Sequence, residues 1–245
     1  LEINLDGGLA SWEIYASELE FTIPTSTTGG TSIPITLTVS DDLGYEFLET
    51  YYLLVGAPEQ IFYDGAENGL VNWSSDDWGL STNEFEGNFS FSDSPQGDYV
   101  GNWGTSEMII NSPFDFSNVS DGYLQITAAW DIEAGWDWAQ VLASIDGQNW
   151  ISLQGEYMSG GAGQGIQYSG EFGYDGESGW VTDNLPLSAF AGESQVWLKF
   201  MISSDGHVTA DGIYIDEIIL YVYNLPDFMI GDLNEDGEIN VLVIV

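Results

Sequence analysis

The chain has 245 residues, 44% of them apolar, which is material for one or two packed cores, and 40 Asp and Glu face a single basic side chain, Lys199, for a formal charge of −39. That balance disfavours nucleic acid and anionic membrane surfaces as partners, because both require Lys and Arg to meet phosphate. The absence of cysteine excludes a disulfide framework and thiol chemistry.

Self-repulsion at this charge destabilises the compact state, so screening by salt or by bound divalent ions is expected. No apolar run reaches the ~18 residues of a membrane-spanning helix. The chain opens at Leu1 in what reads as mid-strand, and the expectation is a processed or excerpted segment of a longer secreted protein.

Residues 1–57 give about four strands, among them the alternating Ser32-Ile-Pro-Ile-Thr-Leu-Thr-Val39 and the closing Tyr51-Tyr-Leu-Leu-Val-Gly56. An immunoglobulin-like sandwich uses about seven strands, so this segment is expected to be a small sandwich or the second half of one. Ala57-Pro58-Glu59 is the expected hinge. Residues 58–225 form an aromatic-rich body long enough for a jelly roll of two packed sheets, and residues 226–245 have a different texture.

Within the body, Tyr123–Ala128, Gln140–Ile145 and Gln195–Ile202 alternate with period two, and turn pairs such as Asp146-Gly147, Asp175-Gly176, Asp205-Gly206 and Asp211-Gly212 punctuate them. No stretch carries a capped helical stripe. The fold class is all-β. The run Ser159-Gly-Gly-Ala-Gly-Gln-Gly165 reads as a solvated hairpin tip, with a binding loop as the alternative.

Asp211-Gly-Ile-Tyr-Ile-Asp-Glu-Ile-Ile-Leu220 places carboxylates in a strand otherwise built of Ile, Tyr and Leu. Two further acidic knots are Asp64-Gly-Ala-Glu67 and Asp93-Ser-Pro-Gln-Gly-Asp98. Charges inside apolar strands need neutralising, and with one cation in the chain the economical partner is a metal; oxygen-only ligands favour calcium. The expected ligands are Asp64, Glu67, Asp93 and Asp216, with Asp98 and Glu217 as second choices. The first and last strands of a sandwich commonly lie together, so one ion would close the fold. The competing reading makes these acids turn caps.

Tryptophans usually fill β-sandwich cores. Trp136-Asp137-Trp138 is the exception proposed for sugar stacking, with two indoles on one face and Asp137 hydrogen-bonding hydroxyls. His207, the sole histidine, follows a turn, and neither G-x-S-x-G nor H-E-x-x-H occurs. The chain is read as non-enzymatic. Lys199 is expected to pair with local carboxylates.

Tyr63-Asp-Gly-Ala-Glu-Asn-Gly-Leu-Val-Asn-Trp73, Trp78-Gly-Leu-Ser-Thr82 and Phe89-Ser-Phe-Ser-Asp-Ser-Pro95, followed by Trp130-Asp-Ile-Glu133, Ser144-Ile-Asp-Gly-Gln-Asn-Trp150 and Asp211–Asp216, together resemble a known module. It is the MAM-like jelly-roll accessory domain beside the catalytic domains of immune-inhibitor-A-type and related secreted peptidases. The resemblance implies a calcium-containing β-sandwich with an accessory, non-catalytic role. Asp232-Leu-Asn-Glu-Asp-Gly-Glu-Ile-Asn240 resembles half a dockerin calcium loop, with Asp232, Asn234, Asp236, the Glu238 carbonyl and Asn240 as ligands. Val243 stands where that loop has an acid.

Two functions compete on this reading. One is a calcium-binding accessory or adhesion module of a secreted or cell-surface protein, contacting a glycan or protein. The other is a structural subunit of an extracellular filament or surface layer, pairing with further copies of itself through edge strands such as the tail Ile239-Asn-Val-Leu-Val-Ile-Val245.

Overall fold

The computed structural model describes residues 27, 31–40, 43–99, 101 and 103–225. The dockerin-like ligands Asp232, Asn234, Asp236, Glu238 and Asn240, the tail strand and most of the immunoglobulin-like segment lie outside the described residues. Of that segment the structure describes one hairpin, β1 (Ser32–Ser40) and β2 (Glu46–Leu54), in register from Ser32 opposite Leu54 to Ser40 opposite Glu46.

The body begins with β3 (Glu59–Asp64), followed by β4 (Trp73–Ser74), β5 (Gly79–Ser81), β6 (Ser90–Ser92) and β7 (Thr105–Ile110). The long β8 (Val119–Ile132) then leads to β9 (Trp138–Ser144), β10 (Ile151–Ser152), β11 (Ser159–Gly160) and β12 (Phe172–Gly173). β13 (Gly176–Pro186), β14 (Trp197–Ser203) and β15 (Gly212–Asn224) complete it. A 3-10 turn, Ser188–Phe190, is the only helical piece among the described residues.

Two antiparallel sheets form a jelly-roll sandwich. One has five strands in the order β10-β9-β14-β7-β4, and the other six elements, β13-β8-β15-β6-β5 with β3 also on β15. Alternation explains the inner faces. Leu124, Ile126, Ala128, Trp130 and Ile132 of β8 are buried against Met108, Val141, Leu198 and Phe200 of the opposite sheet in one core.

Trp73 ties the layers together, its ring edge-on to Phe62, Phe91 and Phe200 at centroid distances of 6.1, 6.2 and 5.3 Å. Each such side chain contributes roughly 1.5–3 kcal/mol by leaving water. On the outer face of the five-stranded sheet Lys199 meets Glu107 at 2.8 Å beneath the Trp150 ring, 4.6 Å from its centroid. The chain's one cation is therefore engaged away from the buried aspartates.

β15 is the spine. It pairs with β8 along its length, while its other edge is shared by β6, at Tyr214 and Ile215, and β3, from Ile218 to Val222. The first strand of the sandwich thus lies directly beside its last. Between the two partners the β15 register slips against β8, between Asp216 and Ile219, and Glu217 adopts φ 48°. At the head of β15, Gly212 has φ +90°, and a Cβ there would collide with the Asp93 carboxylate.

That close approach makes Gly212 a stability determinant. Gly212→Ala should lose about 1–3 kcal/mol from backbone strain alone, and more from the collision, read as a lower melting temperature. Gly179→Ala, whose new methyl would meet nothing within 4 Å, should stay within about 0.5 kcal/mol of the parent.

Candidate functional site

A chain with 40 acids and one Lys still buries Asp64, Asp93, Asp137, Asp183, Asp205 and Asp216. Each carboxylate needs donors in place of lost water. At the β15 bulge, Asp216 (0% exposed) takes the backbone N–H groups of Phe85 and Glu86 on one oxygen, both at 3.1 Å, and that of Glu217 on the other at 2.8 Å. Burial pushes its carboxyl up, against the pull of those amides, and the Glu67 charge adds to the rise.

Asp64, across from Ile218, receives the Ala66 N–H at 3.1 Å, the Asn72 amide at 2.9 Å and the Trp73 indole N–H at 3.0 Å. Exposed Glu67 takes Asn88 through its backbone and side-chain N–H groups, at 2.6 and 2.8 Å, and Phe89 N–H at 3.0 Å, which hold its carboxyl below the usual range. Glu217 accepts the Tyr63 hydroxyl at 2.6 Å, and this bond, before burial, drives the Tyr63 phenol upward.

The structure therefore brings Asp64, Glu67, Asp216 and Glu217 to one junction, where β3 meets β15 beneath the 85–89 loop. There they cap that loop and the Asp64 turn. The other two expected ligands sit apart. Asp93 packs at the head of β15, with Ile213 N–H on Oδ1 at 2.7 Å and no hydrogen-bond partner on its buried Oδ2. Burial pushes its carboxyl up from 3.8 to about 7, with the Asp211 charge adding to the rise and the Ile213 N–H opposing it. Asp98 is exposed on the following loop.

The one set of three carboxylates gathered tightly enough for a metal, among the described residues, is Glu133, Asp137 and Asp205, with ligand atoms within 4.8 Å of one another. The turn after β8 supplies Glu133 and Asp137, where the Asp137 N–H closes on the Glu133 carbonyl at 3.1 Å. The opposition of Ser203 and Trp138 across β14 and β9 delivers Asp205 to the same place.

Asp137 takes the Asp205 N–H at 2.6 Å and the Tyr99 hydroxyl at 2.9 Å, and Tyr99 in turn accepts the Glu133 N–H at 3.1 Å. Burial, then the charges of Asp137 and Asp205, push the Glu133 carboxyl up. His207, 79% exposed, stands with Nδ1 3.8 Å from Asp205. An all-oxygen, acceptor-only set of this kind fits a hard divalent cation. Asp137 was singled out in the sequence for sugar hydroxyls; Glu133 entered there only in the Trp130-Asp-Ile-Glu133 motif and Asp205 only in a turn pair.

The Trp136-Asp137-Trp138 reading changes. Trp136 is 42% exposed, but Trp138 is 1% exposed, its ring packed on Gly173, and Asp137 is fully buried. Two indoles on one exposed face would need a strand through 136–138, whereas β9 begins only at Trp138 and a turn precedes it.

A family described as "Immune inhibitor A-like, MAM domain" matches residues 83–229. No curated protein matches the chain. Among solved structures, a xylan-binding domain from CBM 22 is similar at TM-score 0.41 and 14% identity, over 67% of this chain and 95% of that one. The C-terminal family 22 carbohydrate binding module of Clostridium thermocellum Xyn10B scores 0.42 at 13% identity, over 67% and 94%. The K3 adhesin domain of Lys-gingipain from Porphyromonas gingivalis w83 scores 0.38 at 15%, over 66% and 99%. These distant likenesses assign no residue and no ligand, and no catalytic family is indicated for this segment. Through residues 83–229, the chain belongs to the immune inhibitor A-like MAM domain family.

Proposed function

We propose that this chain is a non-catalytic, calcium-stapled accessory module of a secreted or cell-surface protein, acting by adhesion to a glycan or protein. The observation that carries it is the Glu133–Asp137–Asp205 set, whose ligand atoms lie within 4.8 Å of one another. Three carboxylates at that separation repel strongly, and Lys199 is committed to Glu107. A calcium ion would supply the missing positive charge, take these oxygens and complete its total of about six to eight ligands with backbone carbonyls or water. By binding only the folded chain it would stabilise the sandwich where β8 and β14 end and β9 begins.

Asp64, Glu67, Asp216 and Glu217 form the second candidate set, because amide, indole and phenol donors already answer their charge. Membership in a MAM-like family supports an accessory role outside the cell. The filament alternative rests on tail residues beyond those described, so it stays behind.

Calcium added to EDTA-treated protein should raise the melting temperature by about 5–11 °C at a hundredfold excess over Kd, the equivalent of about 2.7 kcal/mol. Glu133→Gln should lose most of that rise while melting no lower than the parent in EDTA, since it removes a like charge. If Glu67→Gln abolishes the rise and Glu133→Gln does not, the ion belongs at the β3–β15 junction. No calcium effect in the parent contradicts the staple.

A second expectation concerns Asp93 in EDTA. Its folded-state carboxyl, at about 7 against an ordinary 3.8, holds a proton more tightly than the unfolded chain does. The stabilisation is complete below the unfolded value and is lost as pH rises through the folded one. Melting temperature should therefore fall between pH 4 and about 7 through this group, and Asp93→Asn should flatten the slope. An equal slope in the variant contradicts the assignment.

A further inference from the structure

We infer that the loop end of the sandwich around Trp136 is a binding face for a neutral polysaccharide, stacked on exposed indoles. This rests on the accessory-module reading and gives it a face and a ligand class. Four loops are laced together there. Ser204 N–H donates to the Gly104 carbonyl at 3.1 Å, Asp205 N–H to Asp137 at 2.6 Å, Gln164 Nε2 to the Gly135 carbonyl at 3.0 Å and Gln167 Nε2 to the Asp137 carbonyl at 2.8 Å.

From these loops large aromatic side chains project into water. Trp103 is 66% exposed, Trp136 42% and Tyr168 64%, although the same fold buries Trp73, Trp78, Trp130 and Trp138. Trp136 is held in place. Gly165 approaches so closely that a Cβ there would lie 3.3 Å from both the indole Cε3 and the Trp136 carbonyl oxygen. Trp103 carries φ 55°, a left-handed backbone that a bulky residue adopts only at a cost. Rigid, solvent-facing rings lose little entropy on meeting a ligand.

The accessible polar groups at this end decide the ligand class. Asp137 is fully buried, out of reach of a sugar hydroxyl. The exposed Gln164 amide and the His207 imidazole there offer a mixture of donors and acceptors. Sugar hydroxyls, which both donate and accept, match such a mixture, and the apolar faces of the rings match indole. A Lys- or Arg-rich protein would match acceptors alone. Acidity is also general over this chain, so it does not mark this end, whereas the exposed indoles do. Nucleic acid, which also stacks on aromatics, needs the cations that this chain lacks.

The test is affinity gel electrophoresis of the full chain at high salt, with hydroxyethyl cellulose, arabinoxylan, galactomannan or dextran in the gel. At least one should retard the protein. Trp136→Ala should weaken that retardation about tenfold, as expected for one stacking ring, and Trp103→Ala should weaken it too. Tyr157→Ala, an exposed aromatic away from these four loops, should leave it unchanged. Thermal melts check that each variant is folded.

Failure of all four polymers to retard the parent overturns the inference, as does parental retardation in both folded Trp variants. Binding to poly-lysine that salt abolishes, with no polysaccharide effect, makes the partner cationic and also overturns it. A protein that responds to calcium yet binds no polysaccharide loses this face while the accessory reading stands. A protein that does neither loses both.

Discussion

One cation against 40 acids is the constraint around which this fold is organised. The one Lys, buried Lys199, is committed to Glu107, so neutral donors must meet the buried aspartates. Asp183 shows the solution in full. It faces inward from β13 and accepts the Tyr174 hydroxyl and the N–H groups of Glu156, Tyr157 and Asn184. Asp216 and Asp64 follow the same rule with other donors. Asp183 and Asp216 thereby each fasten a loop to a strand, and hydrogen bonds to a charged acceptor are the stronger kind. Charge that would otherwise expand the chain is turned into loop fixation.

This arrangement has a limit, reached where carboxylates must share a site. At Asp216 the amides of one loop suffice. At Glu133, Asp137 and Asp205 the donors are the Tyr99 hydroxyl and the Asp205 and His207 N–H groups, while burial, then the charges of Asp137 and Asp205, push the Glu133 carboxyl up. The place where donors run out is where a divalent ion contributes most. It is also where four loops meet and where the exposed indoles stand, so the proposed calcium site and the proposed binding face share one end of the sandwich.

Much of the scaffold was legible in the chain. Alternation located β8, β9 and β14, the turn pairs separated them, and the carboxylate of Asp216 among isoleucines marked a buried acid requiring compensation. What alternation could not show was which donors would come. The amides of Phe85 and Glu86 lie about 130 residues earlier in the chain than Asp216. Nor could it show the acidic triad, because Asp205 reaches Asp137 only through the register of β14 on β9, across 68 residues. The Trp136–Trp138 pair misled for a local reason: spacing of two means one face only inside a strand, and the chain is turning there.

We propose that the sandwich holds a calcium ion at Glu133, Asp137 and Asp205, where its own donors are insufficient. Elemental analysis of calcium per chain, after saturation and exhaustive desalting, tests this most directly when the parent and Glu133→Gln are compared. A retained ion in the parent and one fewer in the variant is the expected result. Equal counts in the two proteins, or no retained calcium in either, would contradict it.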